Sequence, residues 1–281
     1  LNEELIDVSK ENPKELKKLL HTPGGAFGSC RIKLKDPVKN KKEFQRILDV
    51  FKAHNIGYFF YNGGGDSQDT TLKIANYCKD NNYDLICIGL PKTIDNDLPV
   101  TDNCPGFGSV AKYIAISTHE ASLDVESMAN SSTKVFLLEV MGRHAGWLAA
   151  SAGIIKKGNN TPPHIILLPE VTFNIKNFLS EVKKTVINNG YCVIVASEGI
   201  KDHKNNFIAA SDTKDSFGHA HLGGVAPKLS NMITTKLNYK VHWAVSDYLQ
   251  RAARHIASDV DVKQAYAIGY KSLDYAKAEI T

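Results

Sequence analysis

The chain has 281 residues, of which 43% are hydrophobic and 23% charged, and this composition predicts a globular, soluble protein with one or two domains. The formal net charge of +4 comes from scattered Lys and Arg residues, and no apolar run is long enough to cross a bilayer, which argues against nucleic-acid and membrane partners. The five cysteines form no CxxC pair and no signal peptide is visible, so we expect reduced thiols in a cytoplasmic protein.

Short apolar runs alternate with amphipathic stretches along the chain. The first ten residues have a helical pattern, and the predicted helices that follow span residues 41–54, 67–81, 108–128, 143–154 and 173–189. The predicted strands span residues 56–61, 84–90, 134–141, 165–168 and 191–196. Nearly continuous apolar strands that alternate with helices predict an α/β fold with parallel sheets covered on both faces. In such sheets ligands bind at the carboxyl ends of the strands.

The first strand end carries three glycines, followed by Asp66 and Ser67. Glycines allow a backbone to approach a ligand closely, and the following helix would point its free N–H groups toward a phosphate. A tight turn in which Asp66 or Ser67 caps the helix is an equal alternative.

The second strand end places Lys92, Thr93, Asp95 and Asp97 within six residues. A cation can neutralise a transferred phosphoryl group, one carboxylate can hold a metal, and another can accept a proton from the attacking hydroxyl. This set therefore predicts phosphoryl transfer, and a charged surface turn is the alternative.

The third and fourth strand ends offer candidate ligands for an anionic or hydroxylated substrate. Arg143 could clamp a phosphate or carboxylate, or it could pair with Glu139 at a helix start. Glu198 could accept hydrogen bonds from sugar hydroxyls, or it could be structural.

Together these segments resemble the phosphofructokinase family, with matches from about Thr22 to Arg251. The resemblance rests on the joint occurrence, in this order, of Gly63-Gly64-Gly65-Asp66-Ser67, Pro91-Lys92-Thr93-Ile94-Asp95-Asn96-Asp97, Pro105-Gly106-Phe107-Gly108-Ser109, Glu139-Val140-Met141-Gly142-Arg143, Glu198 and Gln250-Arg251. It implies two Rossmann-like, three-layer α/β/α domains with mainly parallel sheets and the active site in the cleft between them. Residues 1–132, completed by part of 251–281, would form the phosphate-donor domain, and residues 133–250 the domain that binds fructose 6-phosphate.

The resemblance also implies roles for individual residues. Asp95 would accept the proton of the 1-hydroxyl of fructose 6-phosphate, Thr93 would support it, and Arg143 would stabilise the phosphoryl group. Asp97 would help to hold Mg²⁺, with Asp66 as a second candidate ligand. The sugar phosphate would contact Met141, Gly142, Glu198, Tyr248 and Arg251 of one subunit. The donor phosphates would contact Arg31, Gly64, Gly65, Asp66, Ser67 and Lys92.

Two positions point to the phosphate donor. Members of the family that use ATP usually have Gly where this chain has Asp66 and Lys92. A carboxylate at Asp66 would crowd and repel the α-phosphate of a nucleotide, and the ammonium of Lys92 could neutralise a short pyrophosphate. The chain thus resembles the pyrophosphate-dependent branch, which implies a reversible, glycolytic transfer between pyrophosphate and fructose 6-phosphate.

Departures from the family pattern keep other functions open. The family's first strand and glycine-rich donor loop are not found, and Gly65 stands where the family usually has Asp or Asn. Lys134 and His242 occupy the positions of two cations that reach a neighbouring subunit's sugar phosphate, which implies a homodimer or homotetramer. A regulatory, non-catalytic subunit and an ATP-dependent kinase are the alternative functions.

Overall fold

The computed structural model describes residues 2–22, 24–29, 32–214 and 220–280. The α-helices are α1 (Pro13–Lys18), α2 (Lys41–Ala53), α3 (Gly65–Asp80), α4 (Phe107–Met128), α5 (Trp147–Ser151), α6 (Ile175–Asn189), α7 (Val225–Leu237), α8 (Asp247–Ala252) and α9 (Asp259–Lys277). The strands are β1 (Tyr58–Gly63), β2 (Ile86–Pro91), β3 (Val135–Val140), β4 (Ile165–Leu167), β5 (Cys192–Ser197), β6 (Ala210–Lys214), β7 (Ala220–Leu222) and β8 (Val241–Val245). By packing, the chain divides into a first unit, Leu1–Thr93 with Asp259–Thr281, and a second unit, Ile94–Ser258.

The first unit contains β1 and β2, which pair in parallel from Tyr58↔Ile86 to Gly63↔Pro91. Its core lies where α2 and α3 pack against these strands, and it includes Phe44, Leu48 and Ile74. Apolar residues recur at helical spacing along α2, so one face of that helix is buried. The parallel pairing brings the carboxyl ends of β1 and β2 together, which places the segments after Gly63 and Pro91 side by side.

The second unit is built on a parallel sheet of strand order β4-β5-β3-β8. Alternate residues of β3 point to opposite faces, as the pleat requires. Leu137 packs with Val182 of α6 and Leu229 of α7, whereas Leu138 belongs to a cluster with Ile114 of α4. Helices therefore cover both faces of this sheet, and the predicted α/β fold with parallel strands is confirmed.

Two predicted helix positions were wrong. The helix predicted from residue 143 begins at Trp147, because Gly142 has φ +125° and the backbone N–H of Gly146 donates to Glu170 Oε1 at 2.7 Å. Near the start of the chain the described α-helix begins at Pro13, where the Asn12 side chain accepts from the Lys14 backbone and the proline occupies the first turn.

Some elements carry too weak a pattern for sequence reasoning to find. The edge strand β8 is largely exposed, so it lacks the buried apolar run that marks the other strands of its sheet.

Helix α4 packs on β3, so residues 107–128 belong to the second unit. The assignment of residues 1–132 and 133–250 to donor and sugar-phosphate domains stays a prediction.

Four cysteines lie in the described part of the chain, Cys78, Cys87, Cys104 and Cys192, and all are buried, free thiols. Burial raises the pKa of Cys87 and of Cys192 to about 12, which leaves both thiols protonated near neutral pH. Within the same described residues, no helix combines the length and the hydrophobicity that a membrane crossing requires.

Candidate active site

The glycine-rich segment after β1 leads directly into α3. Gly64 is the N-terminal cap of this helix, which begins at Gly65, so Asp66 and Ser67 lie in the first turn rather than at the cap position. The Asp66 carboxylate forms an ion pair with Lys33, with 3.0 Å between Lys33 Nζ and Asp66 Oδ1. Lys33 was not identified from the sequence, and it places a cation beside the carboxylate at the start of α3.

The carboxyl ends of β1 and β2 are joined by the side chain of Gln68. Its Nε2 donates to the carbonyl oxygens of Gly63 at 3.0 Å and Leu90 at 3.1 Å. A Cβ atom at Gly89 would lie 1.9 Å from Gln68 Oε1, so this arrangement requires glycine there. The Lys92 backbone N–H also donates to Gly63 at 3.0 Å. The structure thus brings Lys92 and Thr93 next to Gly64.

Asn96 organises the loop that carries Asp95 and Asp97. Its φ of +53° is a left-handed conformation that Asn tolerates better than most residues. The buried side chain donates to the carbonyl of Asp102 at 3.1 Å and accepts from the backbone of Cys104 at 2.8 Å. Asp95 and Asp97 therefore lie on either side of a residue whose side-chain amide is held by two hydrogen bonds.

An open cavity of about 470 Å³ lies beside this loop in the second unit, and its lining includes Asn96, Asp97, Thr101, Asp102 and Trp147. Mg²⁺ prefers oxygen ligands and commonly binds through one or two carboxylates together with substrate phosphates and water. Among the described residues, no group of three His, Cys, Asp or Glu side chains could hold a metal by itself. The donor set fits a magnesium ion that a bound phosphate helps to hold.

The backbone just before Arg143 is held in place by a hydrogen bond from Ser197 to Gly142. The Ser197 hydroxyl donates to the Gly142 carbonyl at 2.5 Å and accepts from the Gly199 backbone at 3.1 Å. A Cβ atom at Gly199 would lie 2.1 Å from the Arg143 carbonyl oxygen, so the ends of β3 and β5 can approach this closely only with glycine there. The position of Arg143 is therefore set by its neighbours on β5 as well as by β3.

In the second unit, Asp95 and Arg143 lie close enough to Glu198 to affect its ionisation. Burial raises the pKa of Glu198 to about 7, and the negative charge of Asp95 adds to the increase. The Arg143 cation and a hydrogen bond from the Gly142 backbone act in the opposite direction. Three residues that the sequence placed at separate segments thus interact electrostatically at the carboxyl end of one sheet.

Replacing Glu198 with Gln should change the pH dependence of stability. The folded protein retains a proton on Glu198 between pH 4.5 and about 7 that the unfolded chain releases, so the free energy of unfolding falls as pH rises through this window. Above pH 7 the neutral amide should stabilise the fold by up to roughly 3 kcal/mol relative to the carboxylate, and below pH 4.5 by little. Urea unfolding from pH 4.5 to 8.5 measures this. Glu181→Gln, at an exposed position of α6, is the matched control and should change the profile little. Equal effects of both substitutions would contradict the prediction.

Glu139, the alternative partner that the sequence offered for Arg143, has a structural role at the start of α7. Its buried carboxylate accepts from the backbones of Gly224 at 3.1 Å and Ala226 at 2.8 Å, at the start of α7. Burial raises the pKa of Glu139, and these hydrogen bonds oppose the increase. Glu139 therefore connects β3 to the N-terminus of α7.

The remaining predicted sugar-phosphate residues fall into two groups. Arg251 lies over the ring of Tyr248, 4.0 Å from its centroid, on the short helix α8. Lys134 and His242 lie instead near the amino ends of β3 and β8, and the Lys134 ammonium donates to the Ala129 carbonyl. Six residues of strand separate Lys134 from Met141, a distance of roughly 20 Å. The same chain does not bring Lys134 to Arg143, and Arg31 lies outside the described residues.

Comparisons with known proteins identify the family of the chain and its fold. A model of the family described as phosphofructokinase matches residues 1–275. The pyrophosphate–fructose 6-phosphate 1-phosphotransferase of Halomonas elongata is 56% identical over 276 residues, which cover 98% of this chain and 66% of the relative. A crystal structure of the pyrophosphate-dependent phosphofructokinase of Marinobacter aquaeolei matches with a TM-score of 0.88 and 54% identity, over 100% of this chain and 65% of that one.

A solved structure with much lower sequence identity shares the fold. Phosphofructokinase from Saccharomyces cerevisiae matches with a TM-score of 0.67 at 19% identity, covering 90% of this chain and 33% of that one, and it supports the fold alone. The chain spans slightly less than two thirds of the Halomonas and Marinobacter proteins.

Proposed function

Because the chain belongs to the phosphofructokinase family, we propose that the protein transfers a phosphoryl group reversibly between pyrophosphate and O1 of fructose 6-phosphate, giving phosphate and fructose 1,6-bisphosphate. The observation that carries this proposal is the electrostatic interaction of Glu198 with Asp95 and Arg143 at the carboxyl end of the parallel sheet. The pyrophosphate donor is the one named for the relatives from Halomonas and Marinobacter. The proposal places the reaction in cytoplasmic glycolysis.

In the proposed reaction Asp95 accepts the proton of the 1-hydroxyl, and Thr93 supports this step. Arg143 stabilises the negative charge on the phosphoryl group in transfer, because a guanidinium matches a phosphate in both charge and shape. Asp97 holds Mg²⁺, which when bound neutralises charge on the donor phosphates. Asp97 lines the open cavity beside the Asn96 loop, which supports this role because a bound phosphate would have room there to supply further ligands.

The donor phosphates bind at the start of α3 and at Lys92. The positive end of the α3 dipole favours an anion near Gly65 and Ser67, and the absence of a side chain at Gly64 leaves room for it. Arg31 and Asp66 belong to the same proposed set, with Asp66 a second candidate ligand for the metal. The Lys33–Asp66 ion pair supplies an additional cation beside the donor.

The sugar phosphate binds in the second unit, where Met141, Gly142 and Glu198 face its hydroxyls and Tyr248 and Arg251 contact its phosphate end. Lys134 and His242 lie near the opposite end of β3, so in this proposal they reach the sugar phosphate of a neighbouring subunit. The active assembly is then a homodimer or homotetramer.

The test is an assay of the full-length natural protein with Mg²⁺, fructose 6-phosphate and either pyrophosphate or ATP. We expect fructose 1,6-bisphosphate with pyrophosphate and almost none with ATP. Activity with ATP alone would overturn the donor assignment. Binding of fructose 6-phosphate by calorimetry without turnover would instead support a regulatory subunit, the alternative that Gly65 and His242 favour.

A further inference from the structure

Gln250 connects two groups of proposed sugar-phosphate residues. Its side chain is 2% exposed, its Oε1 accepts from the Met141 backbone at 3.3 Å, and its Nε2 donates to the Asp247 carbonyl at 3.0 Å. Met141 follows β3 and leads to Arg143, whereas Asp247 begins the helix that carries Tyr248 and Arg251. One buried amide thus links two segments that are 109 positions apart in the chain.

One backbone hydrogen bond connects the two segments just beyond the paired strands. The Ser246 N–H donates to the Glu139 carbonyl at 3.0 Å, which extends the pairing of β3 with β8 by one residue. Beyond this hydrogen bond, β3 turns away through Gly142 at φ +125°, and α8 begins at Asp247 with φ +36°. The Gln250 amide bridges the place where the two strands separate.

Helix α8 needs such support. It has six residues, and a helix of this length is unstable unless tertiary contacts hold it. Among the described residues, no side chain caps it, and the buried Ser246 hydroxyl has no hydrogen-bond partner. Gln250 closes the first turn through the Asp247 carbonyl and at the same time fixes the helix to Met141.

We propose that Gln250 is a positioning residue that holds Tyr248 and Arg251 in a fixed relation to Met141 and Arg143, so that one sugar phosphate can contact both groups. This inference rests on the proposed function for its ligand, a sugar phosphate. Arg251 and Tyr248 are both exposed and already stacked on each other, so their common placement depends on the helix beneath them.

The variants are Gln250→Met, which keeps the length and loses both hydrogen bonds, and Gln250→Glu, which keeps an acceptor for Met141. We expect Gln250→Met to raise KM for fructose 6-phosphate by about 10- to 100-fold, as loss of orientation does, while KM for pyrophosphate changes less than about 2-fold. Gln250→Glu should approach the natural protein as the pH falls from 8 to 6, because a protonated carboxyl can again donate to Asp247. Gln45→Met, at an exposed position of α2, should leave both KM values unchanged.

Amide hydrogen exchange tests the placement without any turnover. In Gln250→Met, exchange should become faster in residues 141–143 and 246–252 and stay unchanged in β5. Unchanged exchange in these segments, or equal increases of both KM values, would overturn the proposal. If the natural protein binds no sugar phosphate, the proposed function fails, and the exchange result still decides whether Gln250 positions the two segments.

Discussion

Replacing Asp95 with Asn is expected to lower kcat for fructose 6-phosphate phosphorylation about 1,000-fold, because the amide cannot accept the proton of the 1-hydroxyl. Binding of fructose 6-phosphate should change little, since Asn has nearly the same volume and the anchored Asn96 keeps the loop in place. Steady-state kinetics with pyrophosphate measures the first effect, and calorimetry with fructose 6-phosphate alone measures the second.

The matched control for Asp95 is Asp124→Asn. Asp124 is exposed on α4 in the same unit, so its substitution removes one carboxylate from the surface and should leave kcat unchanged. A loss of fructose 6-phosphate binding that matches the loss of turnover in Asp95→Asn would mean that Asp95 is structural. The assignment of the base would then have to move to another carboxylate of the second unit.

The sequence predicted the strand ends well because each one combines a buried apolar run with a chemically distinctive segment. The run Val135–Val140 before Met141 and the run Cys192–Ser197 before Glu198 are largely buried, so their patterns show where parallel strands end. From such ends the α/β fold and the membership in the phosphofructokinase family could be predicted, and both are confirmed.

The roles of Gln68 and Gln250 could not be predicted from the sequence, because they depend on partners that are distant in the chain. Gln68 acts by joining Gly63 to Leu90, and Gln250 acts by joining Met141 to Asp247. Neither pair can be inferred from helical or strand periodicity, which reports only burial. The residue type of Asn96 is consistent with its positive φ, since Asn is among the few residues that adopt this conformation at low cost.

The ion pair between Lys33 and Asp66 affects the predicted basis of the donor preference. The Asp66 carboxylate is paired with the Lys33 ammonium, so part of the charge that would repel a nucleotide is already neutralised. Because both side chains are partly exposed, this ion pair contributes little free energy of its own. Crowding by the carboxylate and repulsion by its charge are therefore separate effects, and different substitutions at Asp66 distinguish them.

Replacing Lys92 with Gly is expected to lower kcat/KM for pyrophosphate by about 100- to 1,000-fold, because one preorganised cation for the donor phosphates is lost. Asp66→Gly should raise kcat/KM for ATP about 10-fold or more above the natural protein, and Asp66→Asn should raise it less if crowding dominates. Kinetics with both donors at fixed fructose 6-phosphate measures these ratios.

The control for the donor variants lies one turn further along the same helix. Asp69 is also paired with a lysine, Lys73, so Asp69→Asn removes a comparable carboxylate away from the start of α3 and should leave the donor preference unchanged. If Asp66→Asn admits ATP as well as Asp66→Gly does, charge rather than size excludes the nucleotide. If no substitution at Asp66 or Lys92 alters the ratio of the two donors, neither residue selects pyrophosphate, and the selectivity must come from elsewhere in the protein.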